Sequence, residues 1–287
     1  MSKVGFILRP DRQDPGPLFG QLVTWLEKRG DEAFVIEEDG LAPPGAQVVA
    51  ESALGSCIDI GIVLGGDGTM LRASSLVADD GVPVLGINLG SLGFLSPFDP
   101  SEAQRALEDA LAGGLRIEER LRMCVTLTLS DGSTLTRNGL NEAVIHQGAR
   151  ARLVELEARV DGQLITAYRA DGLIVATPTG STAYSLAAGG PILMPGLGAF
   201  SITPICAHAL TNRPLAVSQE TTVSIQIPRL SLSHDVMLTV DGAWVQPFKT
   251  GDRVEIRAAD RPFRVFVSHK PYFDLLREKL HWGVRHE

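Results

Sequence analysis

Three glycines crowd around one aspartate at Gly65-Gly66-Asp67-Gly68, directly after the apolar run from Ile58 to Leu64. A helix-compatible segment, Thr69 to Ala78, follows at once. A glycine has no Cβ, so its backbone can take up positive φ and come close to a ligand. Thr69 is placed to cap the helix, whose first amides are unpaired and favour phosphate oxygens. Asp67 sits in the middle of this anion-friendly turn, where its charge should repel phosphate. A carboxylate makes sense there if it handles a hydroxyl proton, or a metal ion, beside the phosphate. That combination points to phosphoryl transfer. For a lone Asp-Gly the plainer reading is a turn, and Asp80-Gly81, Asp131-Gly132 and Asp161-Gly162 read that way.

A second dense segment runs from Ala170-Asp171-Gly172 through Thr177-Pro178-Thr179-Gly180-Ser181-Thr182-Ala183-Tyr184 to Gly190-Pro191. A buried strand ends there in a cluster of hydroxyls and amides, followed by a tyrosine that can lie against a flat ring. Such a mixture suits a nucleoside with its ribose hydroxyls. The residues alone fit an N-capped helix equally well.

These segments need elements to hold them. Over the first ~115 residues strand and helix signals alternate: strands at Val4–Leu8, Ala33–Ile36, Ile58–Leu64 and Val82–Ile87, and a helix carrying Leu18, Phe19, Leu22, Val23 and Leu26 that stops at Gly30. Ser101 and Gln104 read as a capping box for a helix with Ala103, Leu107 and Leu111 on one face. Alternation of this kind implies a mostly parallel sheet, with ligands collecting beyond the carboxyl ends of its strands. Near Arg116 the period changes to two. Strands are expected at Leu121–Leu129, Val154–Val160, Gly172–Ala176, Thr222–Ile227, Val236–Val240, Arg253–Arg257 and Phe263–Val267, with one short helix at Ser181–Ala188. Pro271 to Trp282 reads as an amphipathic helix.

The 287 residues suit two domains or one large one. With 44% hydrophobic and 21% charged residues, a sizeable core can be buried. A net charge of −8 without a Lys/Arg cluster argues against general nucleic-acid binding. Cys57, Cys124 and Cys206 are an odd, scattered set, read as thiols in a reducing compartment. The histidines show no metal-ligand spacing. The apolar run before Arg9 is too short for a signal-peptide core, and nothing approaches the roughly 20 apolar residues of a membrane span. A cytoplasmic protein is expected, with no membrane partner.

Taken together, Gly65-Gly66-Asp67-Gly68-Thr69, Asn141-Glu142 and Asp171-Gly172 through Gly190-Pro191, in this order, resemble NAD kinase. The resemblance spans nearly the whole chain, including Asn88 to Leu95, Asn212-Arg213-Pro214-Leu215 and Val240-Asp241-Gly242. The Gly-Gly-Asp-Gly-Thr turn is shared with diacylglycerol-type lipid kinases. The Thr-Pro-Thr-Gly-Ser-Thr-Ala-Tyr run is far more specific. The resemblance implies an α/β domain over residues 1–116 with a mostly parallel sheet. A β-rich domain would cover 117–267, and segment 268–287 would return to the first domain.

The implied reaction moves the γ-phosphoryl of ATP to the 2′-hydroxyl of the adenosine ribose of NAD. ATP would carry Mg²⁺ or another divalent cation; which residues would hold that metal is not readable from the sequence. Asp67 would accept or orient the hydroxyl proton. Gly65, Gly66 and Gly68 would bring amides to the triphosphate in a chain without a P-loop. Asn141 and Glu142 resemble the pair that holds the NAD ribose. Asp171, Thr179, Thr182, Ala183, Tyr184 and Ala187 match positions contacting the dinucleotide, with Ser185 and Leu186 inside the same run. Phe94 resembles a ring contact. Arg152 and Arg169 fall at positions that meet NAD across a subunit boundary. After Asp241-Gly242, Ala243-Trp244 stands where many members carry Gln, and Gln246 is the substitute. The resemblance implies a homodimer or homotetramer. The alternatives are a lipid kinase with the same turn and a non-catalytic NAD(H) sensor.

Overall fold

The structure, a computed structural model, describes residues 1–9, 16–90, 93–148, 153–209, 211–228 and 235–282. The chain forms two compact units: Met1–Glu119 together with the segment from Phe263 onward, and Arg120–Pro262. The first unit opens with β1 (Lys3–Leu8), α1 (Pro17–Arg29), β2 (Glu32–Ile36), β3 (Ala46–Val49) and α2 (Leu54–Cys57). It continues with β4 (Ile60–Gly65), α3 (Asp67–Val77), β5 (Val84–Asn88), α4 (Ala103–Leu111) and β6 (Ile117–Arg120). The second unit holds β7 (Met123–Thr128), β8 (Thr134–Gly139), β9 (Glu142–Gln147), β10 (Val154–Val160), β11 (Gln163–Ala170) and β12 (Gly172–Ala176). It then adds α5 (Tyr184–Ala187), β13 (Ala199–Ile205), β14 (Leu215–Ser218), β15 (Val223–Gln226), β16 (Val236–Val240), β17 (Trp244–Phe248) and β18 (Arg253–Ala258). The chain returns to the first unit with β19 (Phe263–Phe266) and α6 (Tyr272–Leu280).

The first sheet has the order β3-β2-β1-β4-β5-β19-β6, and β1, β2, β3, β4, β5 and β19 pair in parallel. All six residues of β4 are buried, as expected for a central strand covered on both faces. Helix α1 shows why local signals sufficed: Phe19, Leu22, Val23 and Leu26 are its buried stripe, Pro17 opens it, and Gly30 ends it at φ 77°. From β1 the chain winds outward to β2 and β3, then returns to β4 and winds the other way to β5. The reversal lies between β1 and β4, the crevice where open α/β sheets hold ligands.

The second unit is a sandwich of two six-stranded antiparallel sheets, β11-β10-β15-β18-β7-β8 and β14-β13-β12-β9-β16-β17. Alternate residues of both sheets fill one core: Val125, Leu156 and Ile256 from the first, Ile145, Val175, Phe200 and Leu238 from the second.

Four expectations change. Phe263–Phe266, read as part of the β-rich domain, pairs with β5 in the parallel sheet. An apolar run announces a strand and says nothing of its partner. Helix α3 begins at Asp67 with Gly66 as N-cap, and among the described residues no side chain caps it; Thr69 lies buried inside its first turn. The capping box before α4 is Asp99 with Glu102, not Ser101 with Gln104, because a 3₁₀ turn at Pro100–Glu102 precedes the helix. The Ser181–Ala188 segment is a 3₁₀ turn at Gly180–Thr182 followed by one short helical turn.

Candidate functional site

In the first unit, β4 delivers Gly65, Gly66 and Asp67 to the crevice between β1 and β4, where Arg9, Asn88, Leu89, Gly90, Gly93 and Lys279 line a cleft of ≈ 380 Å³. The Asp67 carboxylate is held on three sides. Its Oδ2 accepts the Phe94 amide at 2.9 Å, and its Oδ1 accepts the Leu95 amide at 3.0 Å and the Ser96 hydroxyl at 3.3 Å. Gly93 makes this approach possible, since a Cβ there would stand 2.0 Å from Asp67 Oδ1. The glycines of the turn work differently from expectation: none has positive φ, and Gly66 is extended at φ −124°. At Gly65 a Cβ would meet Thr69 Oγ1 at 2.3 Å, whereas at Gly66 and Gly68 it would enter open space. Gly65 is therefore a packing requirement, and Gly66 and Gly68 leave backbone bare to whatever approaches. Arg9 and Lys279 were not singled out in the sequence. Arg9 follows the strand that borders β4, and Lys279 comes from α6, more than 200 positions away; only the fold brings them to this cleft.

In the second unit two distant segments, Thr177–Gly180 and the turn at Asp241, clasp the start of β9. Thr177, just beyond β12, donates its amide to Asn141 O at 2.9 Å and its hydroxyl to Leu140 O at 2.5 Å. From the β16–β17 turn, Asp241 accepts the amides of Leu140, Asn141 and Glu142 at 2.7, 2.8 and 3.1 Å. Gly180 packs directly on the Asn141 backbone, where a Cβ would lie 2.1 Å from its carbonyl oxygen. The segment so fixed aims Glu142 into a cleft of ≈ 430 Å³ lined also by Val144, His146, Asp171, Tyr184, Thr239 and Gly242. Glu142 is 8% exposed, and its Oε2 has no hydrogen-bond partner among the described residues. Burial, and then the neighbouring charge of Asp241, push its carboxyl from 4.5 up to about 8. Burial also raises Asp241, while its three amide donors and the charge of Arg122 act to lower it.

The structure thus brings Glu142, Asp171 and Tyr184 to one cleft, with the Asn141 backbone held in the clasp beside it. Tyr184 is 46% exposed, an open aromatic face above the cleft. Thr182 ends the 3₁₀ turn packed on Asn141 and Thr179 immediately precedes it; Thr179 is buried and its Oγ1 has no partner among the described residues. Ala183 and Ala187 flank Tyr184, while Leu186 is half-buried. Ser185 turns the other way: it is fully buried, with Thr203 Oγ1 at 3.1 Å and Ser201 Oγ at 3.4 Å. Its hydroxyl is not offered to the cleft. Gln246 is not brought to it either. On β17 it shares a face with Trp244 and Phe248, which pack on the sandwich core, and Val245 occupies the opposite face. Arg169 is exposed on β11, the edge strand of the other sheet, opposite Glu155. Arg152, and Ser91-Leu92 of the Asn88–Leu95 stretch, lie outside the described residues. Phe94 is half-buried in the first unit, and its amide holds Asp67.

Residues 4–115 match the family profile described as ATP-NAD kinase N-terminal domain, and residues 140–268 match ATP-NAD kinase C-terminal domain. Among curated proteins, an NAD kinase of Geobacter metallireducens is 43% identical over 267 residues, covering 93% of each chain. An NAD kinase of Koribacter versatilis is 40% identical over 287 residues, covering 99% of this chain and 100% of the other. Among solved structures, yeast NADH kinase complexed with NADH superposes with a TM-score of 0.91 at 28% identity, covering 100% of this chain and 89% of that one. An NAD kinase from Archaeoglobus fulgidus shares the fold, with a TM-score of 0.77 at 23% identity and coverage of 98% and 100%. Matched along both halves and by relatives over nearly its full length, the chain belongs to the NAD kinase family.

Proposed function

We propose that this chain phosphorylates NAD, transferring the γ-phosphoryl of ATP to the 2′-hydroxyl of the adenosine ribose to give NADP and ADP. The observation that carries the acceptor half is the clasp at Leu140–Glu142, which points a buried carboxyl, its Oε2 without a hydrogen-bond partner among the described residues, into a cleft that Tyr184 also lines. A carboxylate with free acceptor sites suits the two hydroxyls of a ribose, and Tyr184 suits a flat ring. A lipid kinase would need an apolar acceptor cleft. This one mixes Val144, Ile205 and Tyr184 with the polar groups of Glu142, His146, Asp171 and Thr239, which suit a ribose and its base better than an acyl chain.

The donor half rests on the Gly65–Asp67 crevice, where bare backbone at Gly66 and Gly68, with Arg9 and Lys279, suits a triphosphate. Asp67 would accept the proton of the 2′-hydroxyl as the O2′–P bond forms and the bond from the γ-phosphorus to the β,γ-bridging oxygen breaks. Positioned general bases contribute roughly 10²–10⁴-fold. Of about four acceptor sites on a carboxylate, three are taken by Phe94, Leu95 and Ser96. The remaining one suits a hydroxyl, or a single contact to Mg²⁺ carried by the nucleotide's own phosphates and water. When bound, such an ion neutralises charge developing on the transferred group.

A cytoplasmic setting fits three free cysteines. Assembly as a homodimer or homotetramer fits the exposed edge strands β11 and β14, which carry Leu164 and Leu215 outward. The deciding experiment incubates the purified chain with Mg-ATP and NAD and reads NADP with an NADP-specific dehydrogenase. NADP formation is expected. Phosphorylation of diacylglycerol without NADP would overturn the proposal, and NAD binding without turnover would make the chain a sensor.

A further inference from the structure

The turn between β16 and β17 contains a non-glycine residue in the left-handed region, Asp241 at φ 50°. That conformation is uncommon outside glycine, with aspartate and asparagine the best tolerated. It swings the carboxylate back over the start of β9, where it takes three consecutive amides, and the Asp241 amide in turn donates to Glu142 O at 3.0 Å. Gly139 keeps the space clear, since a Cβ there would meet Val240 Cγ1 at 2.6 Å. Gly242, the next residue, lines the cleft, whereas Asp241 faces the β9 backbone. A cap over three amides needs no second carboxyl nearby. Here the third of those amides belongs to Glu142, whose buried Oε2 has no hydrogen-bond partner among the described residues.

We infer that Asp241 is a positioning residue for NAD phosphorylation: it acts through Glu142, fixing that carboxyl's direction and setting its charge state when NAD binds. The inference rests on the reading of Glu142 as the group that receives the ribose. To accept hydroxyl donors on both oxygens, Glu142 must be ionised, and burial beside a second carboxylate opposes that. NAD affinity should therefore rise with pH up to about 8. The other titratable groups facing this cleft are His146 on β9, Asp171 before β12 and Tyr184 on α5. The charge of Arg122 acts on Asp241 from within the same unit.

The test measures NAD affinity and KM against kcat from pH 6 to 9 for the full chain and its variants, with His146→Gln as background to remove that titration. Asp241→Asn keeps a residue that tolerates positive φ but removes the charge. The expected result is a midpoint for NAD affinity moved to lower pH. At pH 9, where Glu142 is ionised with or without the Asp241 charge, KM should rise roughly tenfold from lost positioning, the scale of one hydrogen bond to a charged group, with kcat within about twofold. In a Glu142→Gln background the same change should move neither the midpoint nor KM further. An unmoved midpoint, or an equal rise in KM with and without Glu142, would overturn the inference while leaving the proposed reaction intact. Failure of the unaltered chain to make NADP would overturn the reading beneath it. If Asp241→Asn does not fold, Asp241→Ser carries the same expectation. If neither folds, Asp241 is a folding residue and the inference is wrong.

Discussion

Asp67, the base in the proposed reaction, is also an architectural group. Its oxygens hold the amides of Phe94 and Leu95, so the glycine turn and the loop at Gly93–Ser96 are joined through it. Asp67→Asn keeps the shape but turns an NH₂ group toward one of these amides. We expect kcat to fall by at least ~10²-fold, and the melting temperature to fall too, since an unsatisfied buried donor costs about 1–3 kcal/mol. Lost turnover at unchanged melting temperature would mean that the loop does not depend on the carboxylate. Glu142 makes the opposite case, a group whose burial weakens the fold. Its ordinary value of 4.5 applies in the unfolded chain, against about 8 in the folded one. Between those values the folded protein keeps a proton that the unfolded chain releases, so stability falls as pH rises through that window. Glu142→Gln should melt above the unaltered chain at pH 8 and show a shallower decline from pH 5 upward. Asp241, also raised by burial, remains to sustain part of the slope. Calorimetric melting across this range decides it; an unchanged slope would show that Glu142 is ionised throughout.

At the scale of elements, the site depends on contacts between segments that the sequence keeps far apart. Gly180 is the sharpest instance. Its Cα lies against the Asn141 backbone, and a methyl group there would stand 2.1 Å from a carbonyl oxygen and 2.7 Å from the Asn141 Cα. Gly180→Ala should therefore part the 3₁₀ turn from the start of β9, raising KM for NAD at least ~10-fold, with overpacking costs of about 1–3 kcal/mol. Normal KM in this variant would show that the clasp is dispensable. The strand and turn at Gly65–Asp67 were legible because strand, glycines and acid fall within a few residues. The second cleft was legible only in pieces. Asn141 and Asp241 lie 100 positions apart, and nothing local says that one carboxylate will gather the other segment's amides. Gln246 shows the cost of reading composition without period. On a strand whose Trp244 and Phe248 face the core, residue 246 must face it as well. The pairing of β19 with β5 was likewise invisible, since an apolar strand fits an interior position in either kind of sheet.

For the molecule as a whole, each unit carries its own candidate cleft, one at Gly65–Asp67 and one at Glu142. Among the described residues no group of three or more His, Cys, Asp or Glu side chains could hold an ion. The core of each unit is built from aliphatic and aromatic side chains. The proposed divalent ion would enter with the nucleotide, held mainly by its phosphates, as Mg²⁺ is held where a protein offers only one or two carboxylates. Two consequences separate this arrangement from a resident metal centre. Chelation with EDTA should abolish NADP formation and leave the melting temperature and NAD affinity unchanged. Turnover should return as soon as Mg²⁺ is restored in excess, with no refolding lag. A melting temperature that drops on chelation would instead reveal a structural ion coupled to folding. Lost NAD affinity would place the ion at the acceptor cleft of Glu142 and Asp171, rather than beside Asp67.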